Sequence, residues 1–338
     1  MSQLCQSPTF PFPVLVGDIG GTNARFALLE TPDAELKIFP FAATVDYFGP
    51  AEAIEAVVLP TGARPKMLIV ALAGPITGDS VKLTNCPWVF EPRKLIERLG
   101  LADVVLLNDF EAQALALPSL QAGDMKQLGR GEIRPEAPKV VLGPGTGLGV
   151  GILAYAAGMW IPLPGEGGHV TLGPLTDRDV AVWKHLTRID GRVTAESVLS
   201  GPGMLNLYRA IARADGIEPA YHSPPEVTAA AQAGDPQAQE TEKLFATHLG
   251  AVAGDFALAA LARGGVFLAG GVSQKIEEAL SEGSFRTAFE DKAPHRRLTE
   301  SIPTFLITHS GPALLGLSDY ARRPASYGVD LAGRHWTA

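Results

Sequence analysis

The sequence predicts an α/β fold in two lobes related by duplication, and three observations carry that expectation. Residues 14–29 read as an apolar run, a carboxylate, a Gly20-Gly21-Thr22 turn and a second apolar run, which is a strand, a tight turn and a returning strand. Residues 140–153 repeat the pattern around Gly145-Thr146-Gly147. A third apolar strand, residues 266–269, ends in Gly270-Gly271 before a polar, helix-like run. At 338 residues the chain is long for one core and suits two lobes, and 46% hydrophobic residues with 19% charged ones describe a compact α/β protein rather than a disordered or fibrous chain.

Taken in order, residues 1–13 contain three prolines and no basic run, so they read as a loose leader rather than a signal peptide or a membrane span. The apolar strand 67–73 ends in Gly74-Pro75, and the apolar strand 104–107 ends in Asn108-Asp109. Loops at strand carboxyl ends are where open α/β sheets place ligands. Residues 110–117 read as a short helix stopped by Pro118, and the Gly-, Pro- and charge-rich stretch 119–138 reads as a hinge or surface crossing into the second lobe. Residues 239–263 carry the alanine and leucine content of a buried helix, in which His248 reads as a packed or surface histidine. Residues 311–323 have helical spacing, and the last fifteen residues look dispensable.

The glycine turns carry the first chemistry. Glycine lets backbone N–H groups approach a ligand closely, a concave set of such donors suits phosphate, and a carboxylate such as Asp18 at a strand end can hold the magnesium that travels with ATP. The spacing fits neither the Walker pattern, since no Gly-Lys-Ser/Thr follows, nor the Rossmann fingerprint, because Leu148 stands where the third glycine belongs. Two weakly similar hairpins point instead to a duplicated fold that holds a nucleotide between its halves. They are not equivalent, since Pro144 stands where Asp18 stands in the first; one handles metal and phosphate, the other only phosphate.

At the second strand end, Asn108 and Asp109 set a carboxamide beside a carboxylate, and a carboxylate there can orient a hydroxyl and accept its proton during phosphoryl transfer. Capping the next helix is the competing role for Asp109. Glu166 and His169 lie three residues apart in a glycine-rich loop, suited to zinc, to general base work or to gripping vicinal hydroxyls. No third ligand stands at zinc spacing. Glu196 falls at the head of an expected helix, where acidic side chains are common because the helix dipole favours them.

Composition excludes other classes. The net charge of −8 disfavours nonspecific nucleic-acid and anionic-membrane binding. Cys5 and Cys86 are the only cysteines, so no disulfide framework or cysteine metal cluster exists and a reducing cytoplasm is the natural compartment.

Five motifs in one order, Asp18-Ile19-Gly20-Gly21-Thr22-Asn23-Ala24-Arg25, Leu107-Asn108-Asp109-Phe110-Glu111-Ala112, Gly143-Pro144-Gly145-Thr146-Gly147-Leu148-Gly149, Pro164-Gly165-Glu166-Gly167-Gly168-His169 and Glu196-Ser197-Val198-Leu199-Ser200-Gly201, resemble the bacterial glucokinases of the hexokinase/actin-like ATPase superfamily. The resemblance runs from about residue 14 to about residue 317 and implies a two-lobed actin-like ATPase (ribonuclease H-like) fold with the active site in the interlobe cleft. It implies a small lobe over 14–118 joined by the returning helix at about 311–323, a large lobe over 119–310 and a tail over 324–338. It also implies ATP-dependent phosphorylation of D-glucose at the 6-hydroxyl, with Mg2+.

Carried over residue by residue, the resemblance makes Asp109 the general base and assigns Asn85, Asn108, Asp109, Glu166, His169 and Glu196 to the sugar, with Glu196 near the anomeric carbon. Gly74-Pro75 joins Asn85 on the other wall. Gly17, Asp18, Ile19, Gly20, Gly21 and Thr22 cradle the transferring and β-phosphates, and Asp18 holds the metal. Gly145, Thr146 and Gly147 form the second phosphate hairpin, while Gly270 and Gly271 let adenine and ribose lie flat. Glucose touching both lobes would close them as a clamp. The implied partners are glucose and ATP, without nucleic acid or membrane, and a homodimer is allowed for. The lack of a cysteine cluster separates the chain from the repressor/open-reading-frame/kinase sugar kinases, whose members commonly carry a structural zinc. The alternatives are a same-fold kinase for another hexose, a noncatalytic sugar sensor, disfavoured because thirteen residues before the first strand are too few for a helix-turn-helix domain, and a polymerising actin-like ATPase, which the sugar-loop residues argue against.

Overall fold

The two glycine hairpins begin two sheets with the same strand order. In a computed structural model, which describes residues 9–83 and 86–338, the chain divides into two units: one contains residues up to 120, 153–164 and 310–338, the other 121–152 and 165–309. Asn85 lies outside the described residues.

In the first unit, β1 (Val14–Ile19) and β2 (Asn23–Leu29) form an antiparallel hairpin that sets Asp18 opposite Arg25. Short strands β3 (Lys37–Ile38) and β4 (Ala42–Ala43) pair with β2. On the other side of β1 lies β5 (Met67–Leu72), buried at every position as expected of a central parallel strand; β6 (Val81–Lys82) and β7 (Val89–Phe90) form a separate ribbon. Next comes β8 (Asp103–Asn108), parallel to β5.

Period-two alternation divides the apolar residues of these strands between two faces. Leu15, Val70 and Leu106 pack with Ile54 of α1 (Pro50–Val57) and Leu95 of α2 (Pro92–Leu99). Val16, Ile69 and Val105 pack with Leu115 of α3 (Asp109–Ala116) and with Leu317 of a later helix.

The second unit begins with β9 (Met125–Gln127), continues through β10 (Lys139–Pro144) and β11 (Leu148–Ala156), and is completed by β13 (Val266–Leu268) and β14 (Thr304–Ile307), in the order β11-β10-β13-β14-β9. The parallel core β10-β13-β14 matches β1-β5-β8, and β11 stands beside β10 as β2 stands beside β1. That is the duplication read from the glycine turns. After Ile152 the chain of β11 passes into the first unit and hairpins back through β12 (Met159–Leu163).

The helices of the second unit are α4 (Asp177–Trp183), α5 (Gly201–Asp215), α6 (Pro224–Gln232), α7 (Pro236–Ala260), α8 (Gly271–Lys275), α9 (Glu277–Ser281), α10 (Ser284–Glu290) and α11 (Arg296–Ser301). The long α7 is the buried helix expected over 239–263. His248 is fully buried there, with Nε2 3.0 Å from Asp179 Oδ1, so it is a packed histidine.

The returning helix α12 (Pro312–Arg322) sits in the first unit, and so does the chain after it. The supposedly dispensable tail is part of the sheet: β15 (His335–Thr337) pairs antiparallel with β8, Trp336 is 6% exposed, and its Nε1 donates to Asp79 Oδ1 at 2.6 Å. The described end of the leader is not loose either. Phe10 and Phe12 pack against the first unit's core, Phe10 edge-on to Tyr320 at 5.3 Å. The stretch 119–138 carries the chain from the first unit into the second, at Leu120 and Gln121, and also supplies β9, which covers the open sheet edge at Leu306 and its neighbours.

Candidate active site

Strand register brings the first set of site residues together. Ile19 lies beside Leu72 in the β1-β5 pair, and Leu72 lies beside Asn108 in the β5-β8 pair, so the carboxyl ends of three adjacent parallel strands carry Asp18, Gly74 and Asp109 in one row. At one strand spacing each, β1 and β8 stand about 10 Å apart.

The phosphate-type turn after β1 is held from outside by a residue that sequence reasoning missed. Gly20 N donates to Asn23 O at 3.0 Å, while Thr44 donates from its hydroxyl to Gly21 O at 2.9 Å and from its backbone to Thr22 O at 2.9 Å. Thr44 is fully buried and lies 22 residues from the turn it fixes. Burial pushes the Asp18 carboxyl above its ordinary value, and Arg25, 3.7 Å away, partly offsets this. A cation at this carboxylate would favour the ionised form and offset the solvation lost on burial. Among the described residues no cluster of three or more His, Cys, Asp or Glu is arranged to hold a metal ion. That donor set fits magnesium held by one carboxylate and by a ligand's phosphates, rather than a protein cage.

At the end of β8 the capping role weighed for Asp109 falls chiefly to its neighbour. Asn108 is the helix cap: its Oδ1 accepts from Phe110 N at 2.9 Å and Glu111 N at 3.3 Å, and Glu111 returns a carboxylate to Asn108 N at 3.4 Å. The carboxamide Nδ2 donates to Gly74 O at 3.3 Å, tying the loop after β5 to this junction. Asp109 is the first residue of α3, half-buried, with Oδ1 accepting from Phe110 N at 3.0 Å. Below the junction, the tail reaches in through Arg334, whose guanidinium lies 2.6 Å from buried Glu111 and whose carbonyl accepts from Leu106 N at 3.0 Å. Burial raises the Glu111 carboxyl while Arg334 opposes the rise. Neither Glu111 nor Arg334 figured among the sequence candidates.

The second unit assembles the other candidates around β10 and β11. Gly145 N donates to Gly147 O at 2.8 Å to close the turn, and Gly145 O accepts from Gly201 N at 2.8 Å. Thr146 is exposed at the tip. Glu196 Oε2 accepts from Leu148 N at 2.9 Å, and Glu196 N donates to Gly168 O at 2.8 Å. One residue thus stitches the turn to the glycine-rich loop. The expectation that Glu196 heads a helix is corrected: it lies in a turn closed by Thr194 and Ser197, and α5 starts five residues later with Ser200 as its cap. Glu166 and His169 flank a short 3-10 turn with Oε2 and Nε2 3.8 Å apart, both largely exposed.

At the carboxyl end of β13, Gly270 has φ 82° and caps α8. A Cβ there would strike Pro144 O and sit 2.9 Å from the Pro144 carbonyl carbon, so the ridge between β13 and the second turn requires glycine. Gly271 meets nothing within 4 Å.

A family model described as Glucokinase matches residues 15–324. The chain belongs to the glucokinase family. A glucokinase of Rhizobium johnstonii is 53% identical over 328 residues, covering 96% of each chain. Among solved structures, a glucokinase from an Antarctic psychrotroph superposes with a TM-score of 0.81 at 31% identity, covering 92% of this chain and 99% of that one. A repressor/open-reading-frame/kinase glucokinase from Streptomyces griseus, solved with glucose and AMPPNP, shares the fold, with a TM-score of 0.60 at 22% identity over 92% of this chain and 99% of that one. The glucokinase match spans the five motifs and both units, and among the described residues no helix is long and apolar enough to cross a membrane.

Proposed function

We propose that this glucokinase-family chain transfers the terminal phosphoryl group of ATP to the 6-hydroxyl of D-glucose with Asp109 as general base. The observation that carries the reading is the junction at the end of β8: Asn108 takes the capping box, and Asp109 stands at the head of α3 in the same row as the turn after β1. A primary hydroxyl is a poor nucleophile, and a carboxylate that orients it and takes its proton as the new P–O bond forms supplies about 10² to 10⁴ in rate.

In this reading Gly17 to Thr22 cradle the transferring and β-phosphates, with Thr146 and its flanking glycines receiving further phosphate oxygens. Asp18 holds Mg2+, which when bound neutralises charge developing on the transferred group. The sugar hydroxyls are taken by Asn108, Glu166, His169 and Glu196, and Asn85 belongs to the same proposal from its sequence motif. Gly270 and Gly271 form the surface for adenine and ribose. No single unit carries the whole set. The proposal includes a cytoplasmic location.

A panel of hexoses with coupled ADP detection tests the reading. Glucose should give the highest kcat/KM, and a higher value for mannose, fructose or an N-acetylated amino sugar would overturn the substrate assignment.

A further inference from the structure

The second unit holds a cavity of about 450 Å³ that none of the roles above uses in full. It opens beside the Thr146 turn and Glu196 and runs along one face of α5 to the loop at Thr187. Its volume lies within the range of small-molecule sites.

Three features make it a built site. Arg209, half-buried in the middle of α5, has no hydrogen-bond or ion-pair partner among the described residues, although it lines the cavity. One turn further on, Arg213 lines the same wall and spends one donor weakly, on His185 O at 3.4 Å. The opposite wall is fixed in advance: Asn206 accepts from Thr187 N at 2.9 Å and donates to Ser197 O at 2.9 Å, so the loop does not depend on a ligand for its place. The one carboxylate lining the cavity, Glu196, already accepts from Leu148 N. Two guanidinium groups therefore face one engaged carboxylate and the hydroxyls of Thr146 and Thr187. A half-buried guanidinium with unused donors is matched by an oxyanion that can take two parallel N–H bonds.

We infer that this cavity binds the phosphate group of a small metabolite through Arg209, with Arg213 and the Thr187 hydroxyl as further donors. Because Thr146 lines the mouth, an occupant shares that hydroxyl with the phosphoryl donor, so occupancy weakens ATP binding and ATP weakens occupancy by the same factor. This second half rests on the role proposed above for Thr146. The binding half does not.

The test uses the full chain without substrates at constant ionic strength, chloride replacing phosphate, so that general screening cancels. Isothermal titration with inorganic phosphate, glucose 6-phosphate and ADP, each to wild type, Arg209→Gln, Arg209→Lys and Thr187→Asp, reads the site directly. Expected is a saturable phosphate isotherm in wild type, weakened about tenfold or more in Arg209→Gln and Thr187→Asp and less in Arg209→Lys. The ligand of the three with the tightest Arg209-dependent isotherm identifies the source of the phosphate group. Thr187 is exposed, so its variant keeps the test available if Arg209→Gln fails to fold. In steady-state assays phosphate should raise the ATP KM of wild type but not of Arg209→Gln. Absence of saturable binding by all three ligands, or binding equal in wild type and the variants, overturns the inference. If binding is Arg209-dependent but ATP KM does not move with phosphate, the site stands and the role of Thr146 fails.

Discussion

Gly270 and Gly271 are adjacent in sequence and should fail in different ways when each is changed to alanine. At Gly270 the backbone lies in a region that side chains avoid, with φ 82° and ψ 149°, and its Cβ would meet carbonyl atoms of Pro144 and Gly143, which cannot rotate away. Conformational strain of about 1–3 kcal/mol, together with a displacement of β10 against β13, gives a loss of about 3–5 kcal/mol. In thermal unfolding that is a fall in Tm on the order of 10 °C. At Gly271 an added Cβ meets open space, so stability should stay within about 0.5 kcal/mol. If the nucleotide lies flat there, the methyl group lifts it, costing about 1–2 kcal/mol and raising the ATP KM roughly 5- to 30-fold with glucose KM unchanged. Calorimetry and steady-state kinetics on the two variants decide the matter. A Gly271→Ala enzyme with wild-type ATP KM would show that the nucleotide does not rest on this glycine, and a Gly270→Ala protein that melts with wild type would refute the account of the ridge.

Arg334→Met should leave Glu111 buried without its counterion, costing about 3–5 kcal/mol, and circular-dichroism melts should show it; unchanged stability would mean that the tail is not tied to the β8 junction. Glu196→Gln, Glu166→Gln and His169→Ala should each raise the glucose KM by roughly 1–3 kcal/mol with ATP KM nearly constant, whereas loss of ATP affinity alone would exchange the two sets of assignments. Burial, then the nearby Glu278 and Glu282, push the Glu242 carboxyl up to about 7 from 4.5, so the folded state binds more protons than the unfolded one across that window. Stability should therefore fall as pH rises from about 4.5 through about 7, and Glu242→Gln should remove that slope and be more stable by about 1–3 kcal/mol at pH 8, as urea titrations across pH would reveal.

The parts legible in the sequence are those whose cause is local. Apolar runs such as Leu68-Ile69-Val70 announce buried strands, and a Gly-Gly or Gly-Thr-Gly turn announces the hairpin around it, so the duplication and the ligand loops at strand ends could be read directly, while the order of the strands is set by the sheet pairing. Asn108 illustrates the limit of that reading. The pair Asn108-Asp109 signals a cap and a carboxylate at one strand end, but only the capping box with Glu111 shows that Asn108 is the cap.

The rest depends on partners far away in the chain. Residues 324–338 carry Asp330, Gly333 and one arginine, Arg334, and look dispensable, yet β8 has an open edge that β15 fills and Glu111 needs a cation that Arg334 supplies. The one local hint was Trp336 among them, since a tryptophan rarely ends a tail without a pocket to fill. Thr44 and Arg209 were invisible for the same reason: a threonine or arginine gains meaning only when the turn it pins or the cavity it lines is known.

The central claim is that Asp109 takes the proton of the sugar hydroxyl, and the most direct measurement is kcat of Asp109→Asn beside glucose binding measured by titration calorimetry. The amide keeps the shape and an acceptor but loses the basicity, so kcat should fall by about 10² to 10⁴ while the glucose dissociation constant stays within a few-fold of wild type. An Asp109→Asn enzyme that retains more than about half of wild-type kcat, with glucose binding intact, would contradict the account, because the proton would then leave by another route.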